Sequence, residues 1–301
     1  MALLDRALVS LLPAVPRPIV RRIADRYIAG EEIEDAVATV ARLNADGMTA
    51  TIDVLGEEIH NAEEAQEIVD AYHDSLDAIG EHSLDANVSI KPTAVGLKLG
   101  YDVGKANIEA LVRHAAESDN FVRIDMEDST TTDDTLRMYR ELREAGLDNV
   151  GVVFQARLRR TLDDIAALAD LRPNVRICKG IYLEPESIAY TDFEEIRASY
   201  VRGLEALVET ASYVGIATHD EFLISEGKRI ARERYEFQML LGVRESLGRE
   251  LVSDGERLRI YVPFGRQWYE YSLRRLQENP RIAGYVATDT VGRLLSRNGR
   301  S

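Results

Sequence analysis

Lysine and cysteine are both scarce in this 301-residue chain. Only Lys91, Lys98, Lys105, Lys179 and Lys228 are lysines among 37 cationic side chains, so each stands out against an arginine background. The single cysteine, Cys178, excludes an internal disulfide and a cysteine-built zinc site. It falls in an apolar strand, where it reads as a small buried hydrophobe, and cysteine usage suggests the cytosol. No apolar run reaches the ~18 to 20 residues of a membrane span. The start, MALLDRALVSLLPAVPRP, lacks the basic n-region and small-residue cleavage site of a signal peptide. It reads as an amphipathic helix ending at Pro13 that packs against the domain, with docking on a membrane surface as the alternative.

Charge of one sign dominates: the net value of −15 speaks against nucleic acid as a partner. Histidine is scarce too. His60, His73, His82 and His114 fall in helical or loop segments and only His219 ends a strand, so no metal site is expected. Glycine is sparse where nucleotide loops would need it: there is no G-x-G-x-x-G after the first strand, no P-loop and no G-x-S-x-G.

What is present is a regular alternation. After two helical segments, to about Ala45, eight β-branched runs follow: ATIDVLG (50–56), ANVSIKP (86–92), FVRIDMED (121–128), NVGVVFQA (149–156), NVRICKGIYL (174–183), YVGIATHD (213–220), YEFQMLLG (235–242) and RLRIYVPFG (257–265). An amphipathic helical segment follows each. The order predicts an α/β fold, a (β/α)8 TIM-type barrel over 46–301 with an N-terminal helical extension over 1–45.

Barrel enzymes carry their chemistry at the C-terminal strand ends. There the sequence places Lys91, then Asp125 with Glu127 and Asp128, Gln155, Arg176 with Lys179 and Tyr182, Thr218 with His219 and Asp220, Gln238, and Tyr261. One such residue would be a charge solvating a loop. Polar residues at seven strand ends predict a polar, functional mouth. A Schiff-base lyase using Lys91 or Lys179 is one chemistry these residues would allow.

Beyond the eighth strand, YSLRRLQENP sets Arg274 beside Arg275 in a predicted helix stopped by Pro280. Adjacent helical residues point about 100° apart. Glu278 follows four residues after Arg274, and Tyr271 precedes Arg275 by four. The cluster has one surplus positive charge. A helix laid across the barrel mouth would present that pair to a small carboxylate; a helix outside the barrel would leave both arginines solvated.

The stretch RIYVPFGRQWYEYSLRRLQENP, with VRICKGIYLEP, YEFQMLLG, VSIKPT and FVRIDMEDS, resembles the proline dehydrogenase family, in the same order from about Lys91 to Pro280. The resemblance implies a modified barrel that holds FAD at the strand C-termini, with helix 8 over the mouth. The implied reaction is oxidation of L-proline to Δ1-pyrroline-5-carboxylate by hydride transfer to flavin N5. Electrons then pass to a membrane quinone, through a peripheral contact at the inner face of the cell membrane. It further implies that Lys91, Arg274 and Arg275 bind the substrate carboxylate, with Glu278 as partner of the arginine pair. Tyr261, Tyr182 and Leu240 line the substrate pocket, and Tyr261 packs near C4 of the ring. Asp125 matches a catalytic-site aspartate and Arg176 a flavin-edge cation. Met126, Gln155, Lys179, Gly180, Ile181, Thr218 and His219 match further flavin positions. Cys178 and Ile181 depart from the Val and Ala common in relatives. No protein partner is expected. A Schiff-base aldolase on the same barrel, or a non-catalytic proline-sensing barrel, are the alternatives.

Overall fold

The computed structural model describes residues 21, 24–56, 59–269, 271 and 272. Eight strands close into a barrel in sequence order, every neighbouring pair parallel. They are β1 (Thr49–Val54), β2 (Ala86–Ile90), β3 (Val122–Ile124), β4 (Val150–Gln155), β5 (Asn174–Cys178), β6 (Tyr213–Ala217), β7 (Tyr235–Leu240) and β8 (Leu258–Phe264). The α-helices that lie wholly among the described residues are α1 (Ile33–Ala45), α2 (Ala62–Glu81), α3 (Tyr101–Glu117), α4 (Thr132–Glu144), α5 (Thr161–Leu168), α6 (Phe193–Thr210), α7 (Glu221–Ile230) and α8 (Glu245–Ser253). The expected barrel is therefore the observed one.

Period-two alternation organises the strands. Ile52, Val88, Ile90, Val122, Ile124, Val152, Val175, Ile177, Val214, Ile216, Phe237, Met239, Ile260 and Val262 belong to one buried apolar core. The residues between them are largely polar and turn into the barrel: Asp53, Ser89, Arg123, Arg176, Glu236 and Gln238 are all buried. Two strand glycines make room for this bulk. A Cβ on Gly151 would lie 2.3 Å from Arg123 Nη1, and one on Gly215 would lie 2.4 Å from Gln238 Nε2.

In a regular barrel the outer slot between the last and first strands belongs to the helix after β8. Here α1 fills it, packing on both β8 and β1 with Ala36, Val40 and Leu43 buried. The chain ahead of α1 runs along the end of β8: Ala29 N–H donates to Pro263 O at 2.9 Å, and Gly265 N–H to Gly30 O at 3.0 Å. Ala24, Ile28, Leu55 and Tyr271 form a second apolar cluster with Trp268 packed against it. The segment that follows β8 thus begins beside the end of β1 and not in the outer layer. Arg274, Arg275 and Glu278, with the placement of their helix, lie outside the described residues.

Candidate active site

The site is built from strand ends at the C-terminal side of the barrel. Lys91, one residue past β2, is buried and sets its ammonium on both oxygens of Asp53, at 2.7 and 2.8 Å. Tyr261 Oη lies 3.4 Å from the same ammonium and donates to Asp125 Oδ2 at 2.8 Å. Asp125 Oδ1 accepts from Arg176 Nη1 at 2.6 Å and from Ser89 Oγ at 2.7 Å. Residues from β1, β2, β8 and β5, with Asp125 just beyond β3, therefore form one hydrogen-bonded set. Burial pushes the Tyr261 phenol well above its ordinary value, so it stays a neutral donor. The Tyr72 hydroxyl supports the set from α2, donating to Ser89 O at 2.6 Å and lying 3.3 Å from Asp53 Oδ1.

Asp125 meets three donors, Arg176 and Ser89 on one oxygen and Tyr261 on the other. That is the environment of an orienting anion, with three of its about four lone-pair sites already committed. Lys91 is matched by Asp53 and Arg176 by Asp125, so these two cation–carboxylate pairs are close to neutral together.

A second group lies on the rim after β5 and β6. Lys179 Nζ meets Asp220 Oδ2 at 2.5 Å, and Arg197 from α6 holds both oxygens of the same carboxylate at 2.8 and 2.7 Å. Asp220 also caps α7 through the Phe222 N–H at 3.1 Å. Burial pulls the Asp220 carboxyl upward, but the hydrogen bonds from Arg197 and Lys179 outweigh it and hold it well below the usual carboxylate range. Next to it, Thr218 is buried, and His219 Nε2 accepts the Leu240 N–H at 3.0 Å, which fixes the proton on Nδ1 if the ring is neutral.

The rest of the sequence-derived set divides. Gln155 is buried and donates through Nε2 to Glu127 O at 2.7 Å; Met126, the residue before Glu127, is buried too. Gly180 takes φ +89°, and a Cβ there would lie 2.8 Å from Gln155 Oε1, so only glycine fits the turn after β5. Ile181 is exposed, Tyr182 is half-buried with its carbonyl accepting from Arg157 Nη1 at 2.6 Å, and Leu240 is half-buried at the end of β7. Asp53, Ser89 and Glu236 were not anticipated, although the same alternation that marks Lys91 and Gln238 places them on the inner face. Among the described residues no group of three or more His, Cys, Asp or Glu side chains could hold a metal ion.

Closed parallel topology and a hydrogen-bonded polar mouth define an enzyme of the (β/α)8 barrel class. A family model for proline dehydrogenase matches residues 36–288. The chain belongs to the proline dehydrogenase family and is an oxidoreductase of proline catabolism. It is 39% identical over 274 residues to the proline dehydrogenase of Deinococcus radiodurans, covering 88% of each chain. Proline dehydrogenase 1 of Bacillus subtilis (strain 168) is 36% identical over 269 residues, covering 87% of this chain and 89% of that one. Among solved structures, proline utilization A from Bdellovibrio bacteriovorus, inactivated by N-propargylglycine, superposes with a TM-score of 0.79 at 25% identity. That match covers 90% of this chain and 36% of the longer protein.

Proposed function

We propose that this chain oxidises L-proline to Δ1-pyrroline-5-carboxylate with FAD held at the strand C-termini, and that a membrane quinone receives the electrons. The observation that carries this reading is the single hydrogen-bonded set of Lys91, Asp125, Arg176 and Tyr261 at the barrel mouth.

The residues present fit a flavin. Gly180 lets backbone approach closely where a side chain would collide, and Gln155 lies against it. Arg176 engages its neighbours through Nε and Nη1, and among the described residues Nη2 has no hydrogen-bond partner, leaving its two N–H donors for an electron-rich ring edge. Lys179 and the Thr218–His219 pair lie along the same rim, suited to a pyrophosphate and its neighbours. Met126 and Ile181 would pack the remaining flavin surface. When bound, the flavin supplies a two-electron acceptor for the hydride.

The protein's own groups orient the substrate. The near-neutral pairing of Lys91 with Asp53 and Arg176 with Asp125 gives the mouth little net attraction for an anion. Arg274 and Arg275, less Glu278, would add one surplus positive charge, and with Lys91 they form the proposed carboxylate clamp. Asp125 would hold the Tyr261 phenol and the Arg176 guanidinium in place. Tyr261 would meet the ring near C4, with Tyr182 and Leu240 completing the pocket. A Schiff-base lysine needs a neutral amine, whereas both Lys91 and Lys179 are held in ion pairs with carboxylates. That disfavours the aldolase alternative.

The division into an extension over 1–45 and a barrel over 46–301 is part of the same proposal, as are a cytoplasmic location and a peripheral membrane contact. Among the described residues no helix is long and apolar enough to cross a membrane. The test is release of the bound flavin by denaturation, and Arg275→Met. FAD in the supernatant, with a proline KM raised more than tenfold at unchanged flavin content, supports the reading. FMN or no flavin removes the cofactor assignment, and an unchanged KM removes the clamp.

A further inference from the structure

The buried polar residues on the inner face of the barrel continue beneath the mouth, and nothing in the reaction as described uses them. Arg176 Nε donates to Gln238 Oε1 at 2.5 Å. The other end of that amide, Nε2, donates to Glu236 Oε1 at 2.7 Å. Arg259 Nε donates to the same Glu236 oxygen at 2.6 Å, and its Nη1 donates to Ala50 O at 2.6 Å. Tyr213 Oη reaches the second Glu236 oxygen at 3.4 Å. Glu236 and Gln238 are both buried, two residues apart on the same face of β7.

Arginine can only donate and an ionised glutamate can only accept, so the Gln238 amide has one allowed orientation between them. It transmits the position of Glu236 to the Arg176 guanidinium without neutralising it. Space has been cleared for this contact. In the strand ladder Gly215 stands between Arg176 and Glu236, and a Cβ there would lie 2.4 Å from Gln238 Nε2. The interior is also crowded with cations. Burial, and next the nearby Arg176 charge, push the Arg123 guanidinium down to about 9. Glu236 is the carboxylate placed among Arg123, Arg176 and Arg259.

We propose that Glu236 and Gln238 are positioning residues: the Glu236 carboxylate locks the Gln238 amide, the amide fixes the plane of the Arg176 guanidinium, and the Glu236 charge sets the field under the electron-accepting ring. This rests on the proposed placement of the flavin at Arg176. No group is transferred; only the stability of the reduced ring changes. Buried charges act strongly because little water screens them.

The test uses the full-length holoenzyme and two substitutions of opposite sign, Glu236→Gln and Gln238→Glu. Each is equilibrated anaerobically with a two-electron reference dye. Removing the anion stabilises the electron-rich reduced flavin, so Glu236→Gln should shift the flavin–dye equilibrium at least threefold towards reduced flavin. Placing a carboxylate against Arg176 should shift it at least threefold the other way. In both, kcat should change by more than the proline KM, because the carboxylate clamp is untouched. Equilibria equal to wild type, or shifts of the same sign in both variants, overturn the inference. If one variant does not fold, the sign of the other decides. Wild-type protein that binds no flavin would instead overturn the cofactor reading, which separates the two failures.

Discussion

Tyr261 Oη donates to Asp125 Oδ2 over 2.8 Å, tying β8 to the end of β3 across the barrel mouth. The other oxygen of that aspartate carries Arg176 at 2.6 Å. Asp125→Ala should therefore cost stability as well as activity. It leaves a buried guanidinium without its carboxylate, a loss of about 3–5 kcal/mol for a broken buried pair. Urea unfolding should show a lower midpoint at unchanged slope. A loss within error of zero would mean that Arg176 finds another anion.

The barrel and the upper part of this set were legible in the sequence. Eight β-branched runs alternating with amphipathic segments leave few topologies, and Lys91, Asp125, Arg176 and Tyr261 all fall at predicted strand ends. The layer beneath was not read. Asp53, Ser89, Glu236 and Arg259 sit within strands, where parallel barrels usually carry apolar side chains on both faces. The cue was in the alternation: in ATIDV, NVSIK and YEFQM every second residue is polar, which marks an inner face that is not hydrocarbon. Arg274, Arg275 and Glu278, by contrast, were singled out from the sequence alone.

Lys91 and Asp53 should behave as one unit. Lys91→Met and Asp53→Asn each disturb a buried pair, so each should destabilise by about 3 kcal/mol or more. The double variant should lose about 1–3 kcal/mol less than the sum. A double-mutant cycle by urea unfolding measures this, and strict additivity would show that the two charges do not depend on each other.

Gly151→Ala tests how tightly the interior is filled. The new Cβ would meet Arg123 Nη1 at 2.3 Å and the Asn174 carbonyl oxygen at 2.6 Å, and the backbone contact has no easy way to yield. A loss of about 1–3 kcal/mol is expected from overpacking, read as a lower thermal midpoint. An unchanged midpoint would mean that β4 and β5 can separate locally.

Asp220 gives a pH signature. Its native carboxyl is held below the usual range, so the stability it contributes is fully present above the unfolded aspartate value of about 3.9. That contribution is lost as pH falls below this value towards the native one. Wild type should exceed Asp220→Asn in stability by a constant margin from pH 5 to 8, and the margin should shrink below about pH 4. A margin that grows on acidification would contradict the ion pairs with Arg197 and Lys179.

The most direct measurement is an anaerobic titration of the purified protein with L-proline, followed by its visible absorbance. A protein that oxidises proline with a flavin at the barrel mouth should be yellow, and its flavin bands should bleach as proline is added. Arg275→Met should require far more proline for the same bleaching. A colourless protein, or flavin bands that proline leaves unchanged, would contradict the account.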